Sequence, residues 1–215
     1  MHYEYPPSDL LKSLVILYWE HFHPFYPLLH KPSFKNSLAA ELHLHDQAFG
    51  STVLTVYALE SHYSDDPQVL YNSDTASKHS AGWRYFNQIA FVLNNALEFP
   101  SVYALQVYPL SVTFMLGTHM VETAWMFIGT GFQLAQMISV HQSSFGKGRE
   151  PKEVELWKRA FWQLIIFDTA SSMALGRPRF LNLKLPVICD DEYWEAPNPD
   201  DAFKQPETTP SKLTF

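Results

Sequence analysis

The chain has 215 residues, of which 47% are hydrophobic, 15% aromatic and 17% charged, and its net charge is −7. That is enough apolar material for a real core, and it excludes a disordered chain. The acidic balance, with no long run of basic residues, excludes unaided adhesion to nucleic acid, which needs clustered Lys and Arg.

In chain order, Tyr5–Asp9 ("YPPSD") offers prolines and then Ser8 or Asp9 as an N-cap. Leu10, Leu14, Leu17 and Tyr18 follow at helical spacing. The stretch His21–Phe34 ("HFHPFYPLLHKPSF") holds three prolines and is strongly apolar. It is expected as an ordered loop packed on the core, with a binding loop as the alternative. From Asp46 a helix is expected with Phe49, Val53, Val56, Tyr57 and Glu60 on one side, ending at "SHYSDDPQ" (Ser61–Gln68). Trp83, Phe86, Ala90, Leu93 and Leu97 predict another, closed by "EFP" (Glu98–Pro100). A helix over Ser101–Leu116 follows, with a kink expected near Pro109. Its surroundings are the most apolar in the chain, but Gln106 and Pro109 interrupt them, so a buried helix is expected and not a membrane span. Trp125, Ile128, Phe132, Ala135 and Ile138 mark the next helix. "SSFGKGREP" (Ser143–Pro151) is a polar loop. Trp157, Phe161, Leu164, Ser171 and Leu175 mark the last long helix.

No segment sustains period-two alternation. The expected fold class is therefore all-α: a single domain of roughly six to eight helices with no substantial sheet. Its expected layout is an N-terminal lead over 1–7, the domain over 8–196, and a flexible acidic, proline-rich tail over 197–215.

The last helix carries one anomaly. Its stripe puts Asp168 between Leu164 and Ser171, on the core side. A buried carboxylate without a partner is costly or takes up a proton. A partner is therefore expected: Arg84, Arg177, a histidine or a buried hydroxyl. Gly176 suits a left-handed residue just past the helix end, and Pro178 suits the position beyond. A structural role for Asp168 is expected in place of catalysis.

Other candidate chemistry stays below its structural explanation. Ten histidines include the clusters His21/His23/His30 and His43/His45. His-x-His spacing can serve a metal, but no glutamate stands with it as in HExxH. "SSFG" and "TASSMALG" are not GxSxG elbows and follow no strand. Cys189, the single cysteine, has no histidine near it in sequence. It allows no internal disulfide and no cysteine-built zinc site, which fits a reducing compartment. The opening residues lack the layout of a secretory signal. "FGKGRE" lacks P-loop spacing. Asp65/Asp66 and the run Asp190, Asp191, Glu192 and Glu195 are charge runs that solvated loops explain, the second also fitting an acidic interaction segment. No catalytic, cofactor or metal residue is assigned.

Several motifs, taken in order, resemble the fungal-specific transcription factor domain, or middle homology region. His30, Lys31, Pro32, Ser33 and Phe34 resemble the close of its aromatic opening. Ala124–Gln142 resembles its Trp-led helix ending in Gly-Leu-His-Arg, where Ser139, Val140, His141 and Gln142 stand here. Arg159, Phe161, Trp162, Asp168, Ser171, Leu175, Gly176, Arg177 and Pro178 resemble its Arg-x-Phe-Trp helix, Asp, Ser and closing Leu-Gly-Arg-Pro. The wording of "LHLHDQAFGSTVLTVYALESHYSDDP" resembles basidiomycete members.

The resemblance covers roughly Asp9–Glu195 and implies a regulatory domain of a nuclear transcription factor. It assigns structural roles to His30, Pro32, Phe34, Arg159, Trp162, Asp168, Ser171, Gly176, Arg177 and Pro178. It implies regulatory or transcription-machinery partners, with a homodimer or a small-molecule effector as further options and no membrane. The six-cysteine zinc cluster typical of the family cannot be built from one cysteine. Zinc and DNA are therefore expected only through a domain missing from these residues, the chain being a fragment or the protein headless. The alternative of another class is a small-molecule sensor or metal-dependent enzyme, with His30, His119 or Asp168 converging on a pocket.

Overall fold

The computed structural model describes residues 3–71, 80–89, 91, 100–142 and 144–180. Among the described residues there are seven α-helices and no strand, as the all-α expectation requires.

Helix α1 spans Ser8–Leu17. Its ladder begins at the Pro7 carbonyl, which accepts from Leu11 N at 2.9 Å. Ser8 and Asp9 are thus inside the first turn and not at the cap, and Asp9 lies where an anion favours the helix dipole. The helix then widens into a π-helical turn, Tyr18–Phe22, marked by His23 N donating to Tyr18 O at 3.0 Å. That turn buries Tyr18, Trp19 and Phe22.

The expected loop over His21–Phe34 is therefore shorter than expected. Its middle buries Leu28 and Leu29. Its end is already helix α2, Lys31–Ala39, with Pro32 in the first turn, where a missing N–H costs nothing.

Helix α3, Gln47–Glu60, is the central rod. Asp46 caps it, accepting from Phe49 N at 2.9 Å. Every residue from Phe49 to Glu60 is buried, so the one-sided reading was too narrow. A helix buried all round places its polar residues inside too.

Helix α4 is only the turn Trp83–Phe86, where a longer helix is expected from the spacing. The Gln88 side chain competes with continuation. Its Nε2 donates to Arg84 O at 3.0 Å, the acceptor a continued helix would give to Gln88 N, which bonds Tyr85 O instead. Ala90, Leu93 and Leu97 lie outside the described residues.

Helix α5, Val102–Gly117, runs through Pro109 as one element, and the proline leaves the Leu105 carbonyl without its intrahelical donor. No helix among the described residues is long and apolar enough to cross a membrane. Helix α6 spans Val121–Met137. Its end turns on Ser139, at φ +62°, and Val140 N reaches back to Ala135 O at 3.1 Å. This left-handed position is where the family pattern has glycine, and serine adopts it at some strain.

Helix α7, Pro151–Leu175, is the longest. It ends as expected: Gly176 has φ +64°, and Arg177 N donates to Ser172 O at 3.1 Å, closing a Schellman motif. Helix α3 packs on α1, α4 and α5; α5 also packs on α6 and α7, which pack on each other. Phe49, Tyr57, Leu105, Leu110, Phe114, Trp157 and Phe161 fill the core at these crossings. Each such side chain contributes roughly 1.5–3 kcal/mol relative to exposure.

Candidate functional site

The end of α7 gathers five of the ten motif residues. Asp168 is 0% exposed. The chain reverses at Gly176 and passes back over it, so Phe180 N donates to both carboxylate oxygens, at 3.2 and 3.1 Å. Ser172 Oγ lies 3.2 Å from Oδ1 and 3.4 Å from the Pro178 carbonyl, with one proton for the two acceptors. Arg179 Nε stands 3.8 Å from Oδ2. The carboxylate thus has a buried hydroxyl, one of the expected partner types, together with an amide and a guanidinium.

The guanidinium is not the expected one. Arg177 lies over the Trp125 ring of α6, 4.6 Å from its centroid. Arg84 pairs instead with Glu4, at 3.9 Å. The left-handed turn at Gly176 directs residue 177 towards α6 and delivers residues 179 and 180 to Asp168. The Phe180 ring then packs at a tilt against Trp125, centroids 4.5 Å apart. Gly129 makes this possible, because a Cβ there would stand 2.8 Å from the Phe180 ring. Ser171 is buried beside this group.

The other motif residues lie elsewhere. Arg159 is buried on α7, its Nε 3.0 Å from Glu155 Oε1 one turn before, and its Nη1 donates to the Pro27 carbonyl at 3.4 Å. That bond ties α7 to the turn before α2. Trp162 is buried one turn further on. His30 stands at the N-cap of α2 with Nδ1 2.8 Å from Ser33 Oγ. Phe34 is buried against Trp19 and Phe49, centroids 5.9 and 5.6 Å away. The motif residues therefore tie the fold at three places and do not line one cleft.

One buried group escaped the sequence reading as a charge. Glu60, read as a stripe member, is 0% exposed, and neither carboxylate oxygen has a hydrogen bond. His21 Nδ1 is 3.6 Å away. The His21 ring also packs on Tyr63, centroids 4.6 Å apart, and shields the carboxyl from water. The buried Tyr18 hydroxyl is likewise without a hydrogen bond. Burial pushes the Glu60 carboxyl up to about 8. Burial, and then the Glu60 charge, push the Tyr18 phenol well up. A glutamate closing a helical stripe at the period of the apolar residues was the available signal.

The histidines of the sensor and metal readings are dispersed. His119 sits in the turn between α5 and α6 at φ +63°. His43 and His45 line a cavity of about 240 Å³ with Tyr3, Tyr5 and Asp46, and burial lowers the proton affinity of His43. A second cavity, of about 410 Å³, lies between the N-terminal lead and α4, lined by Glu4, Tyr5, Gln68, Arg84 and Tyr85. Among the described residues no group of three or more His, Cys, Asp or Glu is placed to hold a metal ion. Cys189 and the acidic run from Asp190 to Glu195 lie outside the described residues.

Comparison with known proteins gives a consistent picture. The sequence pattern of the family described as "Fungal specific transcription factor domain" matches residues 15–215. Two relatives named ABC-transporter-regulating transcription factor, from Aspergillus oryzae and Aspergillus fumigatus, are each 25% identical over 192 residues, covering 87% of this chain and 20% of theirs. Cutinase transcription factor 1 beta of Fusarium vanettenii is 22% identical over 182 residues, 80% of this chain and 20% of its own. The chain thus spans about a fifth of the length of these relatives. No solved structure matches.

Proposed function

The chain belongs to the fungal specific transcription factor domain family, and we propose that it is the regulatory module of a longer nuclear transcription factor, acting without catalysis of its own. In this reading DNA is contacted by a zinc-cluster domain outside these residues, and the module sets how far the parent activates transcription through protein partners. The observation that carries it is the fate of the motif residues. Asp168, Gly176, Arg177 and Pro178 are spent on closing one helix end, and Arg159 and Phe34 on joining elements. A domain whose distinctive residues hold its own shape fits a module that is read by other proteins.

The experiment fuses the full chain between a heterologous DNA-binding domain and an activation domain. Reporter output should change when the chain is present, and Asp168→Ala should abolish that change at matched protein level. Equal output with and without the chain would defeat the reading. A second reading, a small-molecule effector site, has support in the 410 Å³ cavity, where Arg84 and Glu4 give the rim charges of both signs. An effector held there would raise the melting temperature of the wild type and not of Arg84→Ala.

A further inference from the structure

We propose that the cavity between the N-terminal lead and α4 binds a neutral α-amino acid, its ammonium group facing Glu4 and its carboxylate facing Arg84. The proposal rests on the effector reading of this cavity and adds the chemical class of the ligand. The space, about 410 Å³, is within the range of small-molecule sites. At its mouth Arg84 Nη2 and Glu4 Oε2 stand 3.9 Å apart. Their side chains are 55% and 79% exposed, so the pair is weak and easily parted. Among the described residues no other charged side chain lines the cavity. Asp66, close to Tyr85, already accepts from Gln68 N at 2.9 Å. A ligand with a single charge therefore meets one attraction and one repulsion at the mouth. A zwitterion laid antiparallel to the pair meets two attractions, and it adds no net charge to a chain that carries −7. The two charged groups of an α-amino acid hang on one carbon, side by side as these two are.

The two rim charges come from distant parts of the chain, and one side chain holds their backbones together. Gln88 Oε1 accepts from Glu4 N at 2.7 Å, and Gln88 Nε2 donates to the Glu4 carbonyl at 3.1 Å and to the Arg84 carbonyl at 3.0 Å. The lead is pinned again one residue on, where Tyr5 Oη donates to the His43 carbonyl at 2.7 Å. Gly50 leaves room for that bond, since a Cβ there would stand 2.6 Å from Tyr5 Oη. The ordering cost of these backbones thus falls on folding and not on binding, which preorganises the site. The interior suits an apolar side chain. Pro6 is buried, and Pro7 lies beside it on the wall. Tyr85 is 3% exposed and packs edge-on to Tyr57, centroids 6.2 Å apart. A ring or branched aliphatic group there leaves water while both charges stay at the mouth.

Calorimetric titration of the full chain with L-phenylalanine tests this, beside phenethylamine and 3-phenylpropionate, which each keep the ring and one charge. L-phenylalanine should bind with a Kd below about 1 mM and raise the melting temperature. Each one-charge analogue should bind at least about tenfold more weakly. Glu4→Gln and Arg84→Ala, both on exposed side chains, should each weaken L-phenylalanine at least about tenfold, while the melting temperature of the free protein stays nearly unchanged. Glu4→Gln should not weaken 3-phenylpropionate, because it removes a repulsion. An analogue that binds as tightly as L-phenylalanine, with its dependence on Arg84 kept, would overturn the amino-acid class and leave the effector reading standing. Binding of L-phenylalanine that neither variant weakens would place it elsewhere and overturn the proposal. No binding by any of the three at about 10 mM would remove the effector reading as well, the rim charges then holding neither sign of ligand.

Discussion

Helices α3 and α7 each end beside a carboxylate that is wholly shut from water, and the two are treated in opposite ways. Asp168 receives an amide, a hydroxyl and, further off, a guanidinium. Glu60 receives no hydrogen bond and has one imidazole at 3.6 Å. Burial is equal; what differs is the set of donors that the local chain path delivers to each carboxylate. At α7 a left-handed glycine turns the backbone round and brings an N–H to the acid. After Glu60 the chain continues in an ordinary helical conformation at Ser61, and nothing comes back to it.

The strongest way to break the contrast is Asp168→Ala. It strands the Phe180 amide, leaves the Ser172 proton only the Pro178 carbonyl as acceptor, and leaves the half-exposed Arg179 without its anion. We expect a loss of about 2–3 kcal/mol, mostly from the stranded buried amide, read as a fall in Tm of roughly 5–10 °C. A loss below about 1 kcal/mol would mean that the site is solvated and the comparison void.

Glu60→Gln should act in the reverse direction and with pH. The folded carboxyl titrates at about 8 and the unfolded one at 4.5, so between those values the folded state holds a proton that the unfolded chain has released. Its contribution to stability is complete below pH 4.5 and is lost as pH rises through about 8. The slope is at most about 1.4 kcal/mol per pH unit. The glutamine variant lacks it and should be more stable than wild type by roughly 2–4 kcal/mol near pH 8.5, with little difference near pH 5. Parallel urea midpoints at both pH values would count against an unpartnered Glu60.

Smaller effects sharpen the α7 side. Gly176→Ala places a Cβ at φ +64° and should cost about 1 kcal/mol. Ser139→Gly relieves the matching position at the end of α6 and should gain about 0.5–1 kcal/mol, a control in the opposite sense measured by the same melts. Arg177→Ala removes only the contact over Trp125 and should cost about 0.5–1 kcal/mol, well under Asp168→Ala.

These particulars show what the sequence disclosed. The stripe through Leu164 and Ser171 places Asp168 in the core, and the Gly176–Pro178 spacing predicts the turn that closes α7, because both follow from local geometry. The identity of the cation does not. Arg177 and Arg179 are two residues apart, and only the path after a left-handed residue separates them. Glu60 was legible as a helix position but not as a buried charge, because the π-helical turn that lays Tyr18 and His21 against it has no sequence signature. α4 stops where the Gln88 side chain takes the Arg84 carbonyl, and the same side chain also bonds the backbone of Glu4, 84 residues away, a contact that no window along the chain detects.

The account stands on Asp168 being an internal fastener of the scaffold, and the Phe180 amide reports on it directly. Native-state hydrogen exchange should find that amide protected in the wild type. In Asp168→Ala it should exchange far faster while the mid-helix amides of α7 stay slow. Free exchange of the Phe180 amide in the wild type, or protection unchanged by the substitution, would contradict the account.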